Sequence, residues 1–295
     1  MTAPAPPRPR ATAPRGDAAT ITPRPAGTTA RRCRDAAIRI AVLGAAAAGW
    51  EAAARRADNL FFPAPTTIAA WMRDHWLSGP RSHLFLSNDL LYNAGASLGR
   101  MLTGFAGAAI LGIVLGLLLG RSSLAHDLTN PLVQFGRSVP PVVLIPVYFL
   151  LFPPGAPTQI ALIITGAVWP VLLNTIAGVR AIDPGLLDAV RVLKVSRARR
   201  IAQVLAPAAA PAVLVGLRIS FSIGLILMVV SELYAATDGI GHALISAQQS
   251  FDLPAMWAWI VLLAVLGNAG NAALATATRR VLARHGHPEH QELQR

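Results

Sequence analysis

A single cysteine, Cys33, excludes an internal disulfide and a thiolate metal cluster built within one chain. Lysine is as scarce: Lys194 stands alone and no glycine precedes it at the right distance. The G-x-x-x-x-G-K-S/T loop that wraps nucleotide phosphates is therefore absent. Neither a G-x-S-x-G elbow nor a His-Glu-x-x-His run occurs, which argues against an intramembrane hydrolase. No pair of histidines has helical metal-ligand spacing inside an apolar run, and His285, His287 and His290 fall in the polar C-terminal stretch. No catalytic, cofactor-binding or metal-binding residue is expected. Acids are few, 14 against 26 Lys and Arg, which gives a net charge of +12. Nucleic acid is not the expected partner, because the basic residues are not gathered beside stacking aromatics. They sit at the ends of apolar runs.

Those runs dominate the chain. Hydrophobic residues make up 54% and charged residues 14%, with a mean hydropathy of +0.49, so the sequence reads as an all-α polytopic membrane protein in contact with lipid. Six spans are predicted: Ala36 to about Ala54, Gly95–Gly120, Pro131–Phe152, Thr158 to about Val179, Ala212–Ala235 and Ala255 to about Leu282. The first is the weakest and crosses only if Arg39 and Glu51 reach the head groups. Residues 1–34, rich in Pro, Ala, Thr and Arg, are expected to form a disordered basic tail; residues 35–284 form the membrane domain, with a core at 93–284, and 285–295 a second tail. After Pro65, the residues Ile68, Trp71, Met72 and Trp76 share one helical face, which predicts a helix lying on the outer membrane surface. Gly112, Gly116 and Gly120 recur every four residues, a spacing that lets a second helix approach closely. Arg100, near the start of the same span, is expected to snorkel or pair at the outer boundary.

The basic residues fix the orientation. Arg121, Arg180, Arg191, Lys194, Arg197, Arg199, Arg200 and both terminal stretches fall on one side of a six-span chain. The other side receives Arg55, Arg56, Arg73 and Arg81 in the first long loop. The positive-inside rule then predicts both termini and the loop 183–211 in the cytoplasm. Within that loop Asp183 is placed to cap a helix with Pro184 at its first position, and Leu186, Leu187, Val190 and Leu193 recur at helical spacing. Ser196 is placed to cap a second short helix carrying Ile201, Val204 and Leu205, which Pro207 and Pro211 limit. Two short amphipathic helices between spans four and five can present a rigid knob to a soluble partner.

This loop resembles the signature E-A-A, three residues, G, nine residues, I-x-L-P of the membrane subunit of binding-protein-dependent ABC importers. Asp188, Ala189 and Val190 stand for E-A-A, Lys194 for the glycine, and Val204 and Pro207 for the isoleucine and proline, while Ala206 replaces the leucine. The run QFGRSVPPVVLIPVYFLLF is similar to the R-S-x-P-P-x-x-x-I-P segment of the nitrate, sulfonate and taurine branch, through Arg137, Ser138, Pro140, Pro141, Ile145 and Pro146. WPVLLNTIAGVRAIDP and GIGHALISAQQ resemble that branch too, so the likeness covers roughly residues 60–283. The resemblance implies a permease that works as a homodimer with two cytoplasmic ATP-binding subunits and an external solute-binding protein. The solute would be small, anionic or organosulfur. It also implies that Asp188, Ala189, Val190, Lys194, Arg197, Val204 and Pro207 couple to the ATPase. Prolines inside a membrane helix bend it and free carbonyls, so Arg137, Pro140 and Pro141 are candidate pathway or gate residues. Glu232, an acid inside a span, joins them. The alternative is an ion-coupled secondary transporter or channel with no ATPase partner.

Overall fold

The computed structural model describes residues 28–57, 59–83 and 85–284. The two segments expected as tails thus lie largely outside the described residues, which begin inside the first with the helix α1 (Thr28–Ala57). The described residues form helices and turns without strands. The chain divides into two compact units, residues 1–50 and residues 51–295, with α1 running across the division.

The last turns of α1 cap the next helix, α2 (Pro65–Trp76), whose own preceding residue Ala64 has no side chain to do so. Glu51 accepts hydrogen bonds from the Thr66 backbone N–H (3.1 Å) and hydroxyl (2.7 Å), and also holds Arg55. The face of α2 predicted for a membrane surface is instead turned partly inward. Ile68 and Trp76 are buried, and Trp76 packs on Trp259 with ring centroids 4.8 Å apart. Trp71 meets Trp76 edge to face. Periodicity alone does not distinguish a face turned to lipid from one turned to another helix.

Three long helices form the core: α3 (Asn88–Gly120), α6 (Ala156–Arg180) and α9 (Ala206–Ala235). Between α3 and α6 come α4 (Ser123–Ser138), a 3-10 turn at Pro141–Leu144 and α5 (Ile145–Leu151). Between α6 and α9 lie α7 (Pro184–Val192) and the four-residue α8 (Arg197–Arg200). The described residues end in α10 (Ile240–Gln249) and α11 (Leu253–Arg284). Helix α6 is central, packed by α3 on one side and α9 on the other. Met101, Ile163, Leu227 and Met228 close one part of that sandwich, and Val179, Ile182, Leu205 and Ala209 close another.

The glycine spacing read in the sequence is the α3–α6 contact. A methyl group placed on Gly112 would lie 2.7 Å from the Val171 side chain, one on Gly116 2.5 Å from Thr175, and one on Gly120 2.8 Å from Val179. Without β-carbons the two backbones approach over two turns, where dispersion contacts rather than a hydrophobic driving force hold helices in lipid. Gly116→Ala is expected to destabilise the fold by about 1–3 kcal/mol through overpacking. Thermal unfolding of the detergent-purified protein, followed by size-exclusion fluorescence, measures it.

Among the described residues, five helices are long and apolar enough to cross a membrane: Ala37–Ala57, α3, α6, Ala198–Tyr234 and Leu253–Val281. The count reaches six if α4 and the segment Pro141–Leu151 are one broken span. The segment predicted as the third span, Pro131–Phe152, is bent where its prolines fall: the axis turns by 83° between the helices Ser123–Ser138 and Pro141–Leu151. Val139 and Pro140 each precede a proline, and that proline's ring drives the residue before it out of the helical region. Both adopt extended backbone, with ψ of 118° and 124°. The second half is tied to α6 by a hydrogen bond between the Tyr148 and Thr165 hydroxyls and by Pro141 packing at Gly166.

A second correction concerns Pro207 and Pro211, which do not end the helix before span five. A π-helical turn at Ile201–Leu205 joins α8 to α9, and Pro207 lies in the first turn of α9. Widening the turn accommodates a proline that offers no N–H to the ladder, so the helix runs on from Ala198.

Candidate functional site

Two sites emerge, at opposite ends of the core helices. The first is the loop between α6 and α9. Asp183 caps α7 as its position predicts: its carboxylate accepts the Gly185 N–H at 2.9 Å and Pro184 fills the first helical position. At the other end of α7, Val195 N–H donates to Val190 C=O at 3.3 Å, the six-to-one bond of a Schellman cap. That cap places Lys194 in the left-handed region, φ +48°. The position where the resembled signature carries glycine is therefore one that glycine adopts freely and an L side chain enters only at about 1–2 kcal/mol. The turn keeps its shape with a lysine in it. Strain at Lys194 is consistent with a loop held by its surroundings rather than by local preference.

Around this turn Val190 and Leu205 are buried, anchoring the loop to the core, and Val204 and Pro207 are half-buried. Asp188 and Ala189 are exposed. The side chain of Arg197 lies outside the described residues. Leu186, Val192 and Leu193 are exposed too, the last two at 81% and 74%. These side chains form an exposed apolar group on a loop that also carries Arg199 and Arg200.

The second site is a polar cluster between the start of α3 and the end of α9. Glu232 is 1% exposed, and its Oε1 accepts from Arg100 Nη1 at 3.0 Å. Its Oε2 accepts from the Ser97 hydroxyl at 2.8 Å and from the Gly241 N–H at 2.9 Å. Arg100 also reaches the carboxylate and the carbonyl of Asp238, and Tyr92 donates to Asp238 at 3.2 Å. Burial alone raises the Asp238 carboxyl, but the hydrogen bond and charge of Arg100, with Tyr92 and His242, hold it below the ordinary range. Asn93 Oδ1 accepts the Gly239 N–H at 2.9 Å and the Ser97 hydroxyl oxygen accepts the Ile240 N–H at 2.7 Å. The N–H groups that open α10 thus find acceptors on α3 and α9 instead of water. Gly239, at φ +104°, has room for no side chain, since a methyl there would lie 2.6 Å from the Glu232 carboxylate.

Glu232, expected to line or gate a pathway, is enclosed in this clamp. Arg100 pairs, as expected of an arginine inside a span. Asn93, Ser97 and Asp238 were not singled out from the sequence. The signal available was their spacing, since positions 93, 97 and 100 share one helical face. Of the other pathway candidates, Arg137 and Pro140 are exposed on the bent segment and Pro141 is half-buried against α6. The structure does not bring them together with Glu232.

The described residues thus form a bundle of long apolar helices with a bent segment packed on it and a capped two-helix loop at one end. Residues 108–282 match the family described as binding-protein-dependent transport system inner membrane component. The chain belongs to that family, and within it to the nitrate, sulfonate and taurine branch of ABC importer permeases, multi-pass proteins of the inner membrane. It is 31% identical over 220 residues to SsuC of Bacillus subtilis (strain 168), a permease named for aliphatic sulfonates transport, covering 75% of this chain and 76% of SsuC. It is 30% identical over 227 residues to the taurine transport system permease protein TauC of Escherichia coli (strain K12), covering 77% and 81%. It is 33% identical over 193 residues to the nitrate import permease protein NrtB of Leptolyngbya laminosa, covering 65% and 69%. Among solved structures, an inward-facing MetNI methionine ABC transporter aligns with a TM-score of 0.55 at 19% identity, over 66% of this chain and 99% of that one, a likeness of fold.

Proposed function

We propose that this permease carries a small anionic or organosulfur solute, delivered by an external binding protein, through a pathway formed by two copies of the chain. Two cytoplasmic ATP-binding subunits drive it by docking on the 184–205 loops. The solute class rests on the relatives named for sulfonates, taurine and nitrate. The docking reading is carried by one observation: the exposed Leu186, Val192 and Leu193 stand on a loop whose turn is fixed by a Schellman cap and whose base is buried through Val190 and Leu205. A rigid base transmits movement, and an exposed apolar crown binds the subunit that supplies it. Closure of the ATPases would push α7 and α8, and through the unbroken helix from Ala198 the movement reaches α9. In this reading the termini are cytoplasmic, following the excess of Arg on that side. Arg137, Pro140 and Pro141 on the bent segment border the pathway, and the Glu232 clamp gates its outer end.

Asp188→Ala and Arg197→Ala are each expected to lower the amount of ATP-binding subunit that co-purifies, with the permease itself still present in the membrane. Unchanged association and uptake in both variants would overturn the docking reading. At the turn, Lys194→Gly is expected to keep association intact, because glycine occupies φ +48° without strain. Lys194→Val is expected to weaken it at least several-fold, since a β-branched residue is a genuine outlier there. Equal behaviour of the two variants in the same co-purification would show that the turn plays no part in docking.

A further inference from the structure

A cavity of about 260 Å³ opens where α3 and α6 end and α4 begins, roofed by the 184–205 loop. Its wall carries Arg121, Arg180 and Arg200 together with Ser123, above a floor that includes Leu187 and Leu205. No carboxylate lines it, and among the described residues none of the three arginines takes part in an ion pair. Arg121 and Arg180 are exposed and Arg200 is half-buried, so three positive charges border one hollow, an arrangement that a bound anion would relieve. The first turn of α4, opened by Ser122 as its cap, adds a helix N-terminus on the same side.

Depth and size identify the anion. Gly120 and Arg180 end two of the helices long and apolar enough to span, so the cavity lies at the ends of the apolar segments rather than among them. Its volume falls below the roughly 300–1,000 Å³ of pockets that enclose drug-sized ligands, yet it suits a phosphate with a small substituent. Arginine forks match phosphate oxygens in pairs. Basic pockets between membrane helices on the cytoplasmic side take acidic lipid head groups. We infer that this cavity binds the phosphate of an anionic phospholipid of the inner leaflet, held by Arg121, Arg180 and Arg200. The bound head group links the ends of α3 and α6 to the loop, so lipid composition bears on the loop's stiffness. The choice of leaflet rests on the cytoplasmic placement proposed above; the binding chemistry does not.

The test uses the full-length chain purified in a neutral detergent, with binding read by native mass spectrometry and by the shift in unfolding temperature. The probes are short-chain phosphatidylglycerol, short-chain phosphatidylcholine and inorganic phosphate. Phosphatidylglycerol is expected to bind and to raise the unfolding temperature, and phosphatidylcholine to do neither. Binding is expected to fall about fivefold for each arginine changed to glutamine. The triple variant Arg121→Gln/Arg180→Gln/Arg200→Gln should lose it, while the triple lysine variant, which guards against misfolding, should keep most of it. Arg279→Gln/Arg280→Gln, which removes charge elsewhere, should leave it unchanged. Inorganic phosphate binding as tightly, and lost in the glutamine variant, would make the occupant a free phosphate and overturn the lipid assignment. Phosphatidylglycerol binding that survives the glutamine triple would overturn the site itself. Glutamine substitutions that spare lipid binding but abolish association with an ATP-binding subunit would assign the arginines to a partner's acids instead. Because lipid binding is read in detergent, its failure leaves the loop's placement standing, and a loop found outside the cytoplasm leaves the binding result intact.

Discussion

Arg100→Ala is expected to destabilise the fold by about 3–5 kcal/mol, the range for breaking a buried ion pair and stranding its partner. The reason is geometric. Glu232 loses a 3.0 Å partner at a place where 1% of it reaches the surface, and Asp238 loses the same guanidinium. Ser97 and Gly241 still donate to Glu232, but two neutral donors do not balance a full charge in a low-dielectric interior. Adding Glu232→Gln to Arg100→Ala should recover part of the loss, because the amide keeps an acceptor for Ser97 and Gly241 without a charge to compensate. Unfolding temperatures of the single variants and the double variant, together with the yield of folded protein in the membrane, measure this non-additivity. An Arg100→Ala protein within about 0.5 kcal/mol of the wild type, the scale of an ordinary surface change, would mean that the cluster is not a clamp.

The second large effect is expected at the loop, with the opposite signature. Val192→Asp/Leu193→Asp puts two charges on side chains that are 81% and 74% exposed, so the fold should be unaffected. Association with the ATP-binding subunit should fall about 30-fold or more, as for loss of an interface residue worth about 2 kcal/mol, and uptake should fall with it. The readouts separate the two sites: the Arg100 change lowers stability, and the loop change lowers coupling in a stable protein. Loss of stability in the loop variant, or retained coupling, would place the docking surface elsewhere.

The local features of the fold were legible because each rests on a local rule. The apolar runs, the cap formed by Asp183 and Pro184, and the close approach at Gly112, Gly116 and Gly120 follow from neighbours within one or two turns. The R-S-x-P-P run foretold a bend, though not its size: the 83° turn depends on Val139 and Pro140 both preceding proline and on Pro141 finding a place against Gly166. The polar clamp was legible only in pieces. Arg100 and Glu232 drew notice as charges within spans, but they stand 132 residues apart, and nothing local says that the start of α10 packs against both helices that carry them. The same limit hid the packing of Trp76 on Trp259 and the continuation of the helix past Pro207, where a π-helical turn absorbs what a regular helix cannot. Lys194 shows the reverse case. Its place in the loop signature pointed to a glycine-like turn, and the backbone takes that turn with the lysine present.

The most direct measurement is uptake into proteoliposomes holding this chain with its ATP-binding subunit, with a loaded binding protein outside and ATP enclosed. The account predicts ATP-dependent accumulation that disappears when the ATP-binding subunit, the binding protein or ATP is left out, and when Val192→Asp/Leu193→Asp is used. Accumulation by the chain alone, driven by an ion gradient without ATP, would contradict it.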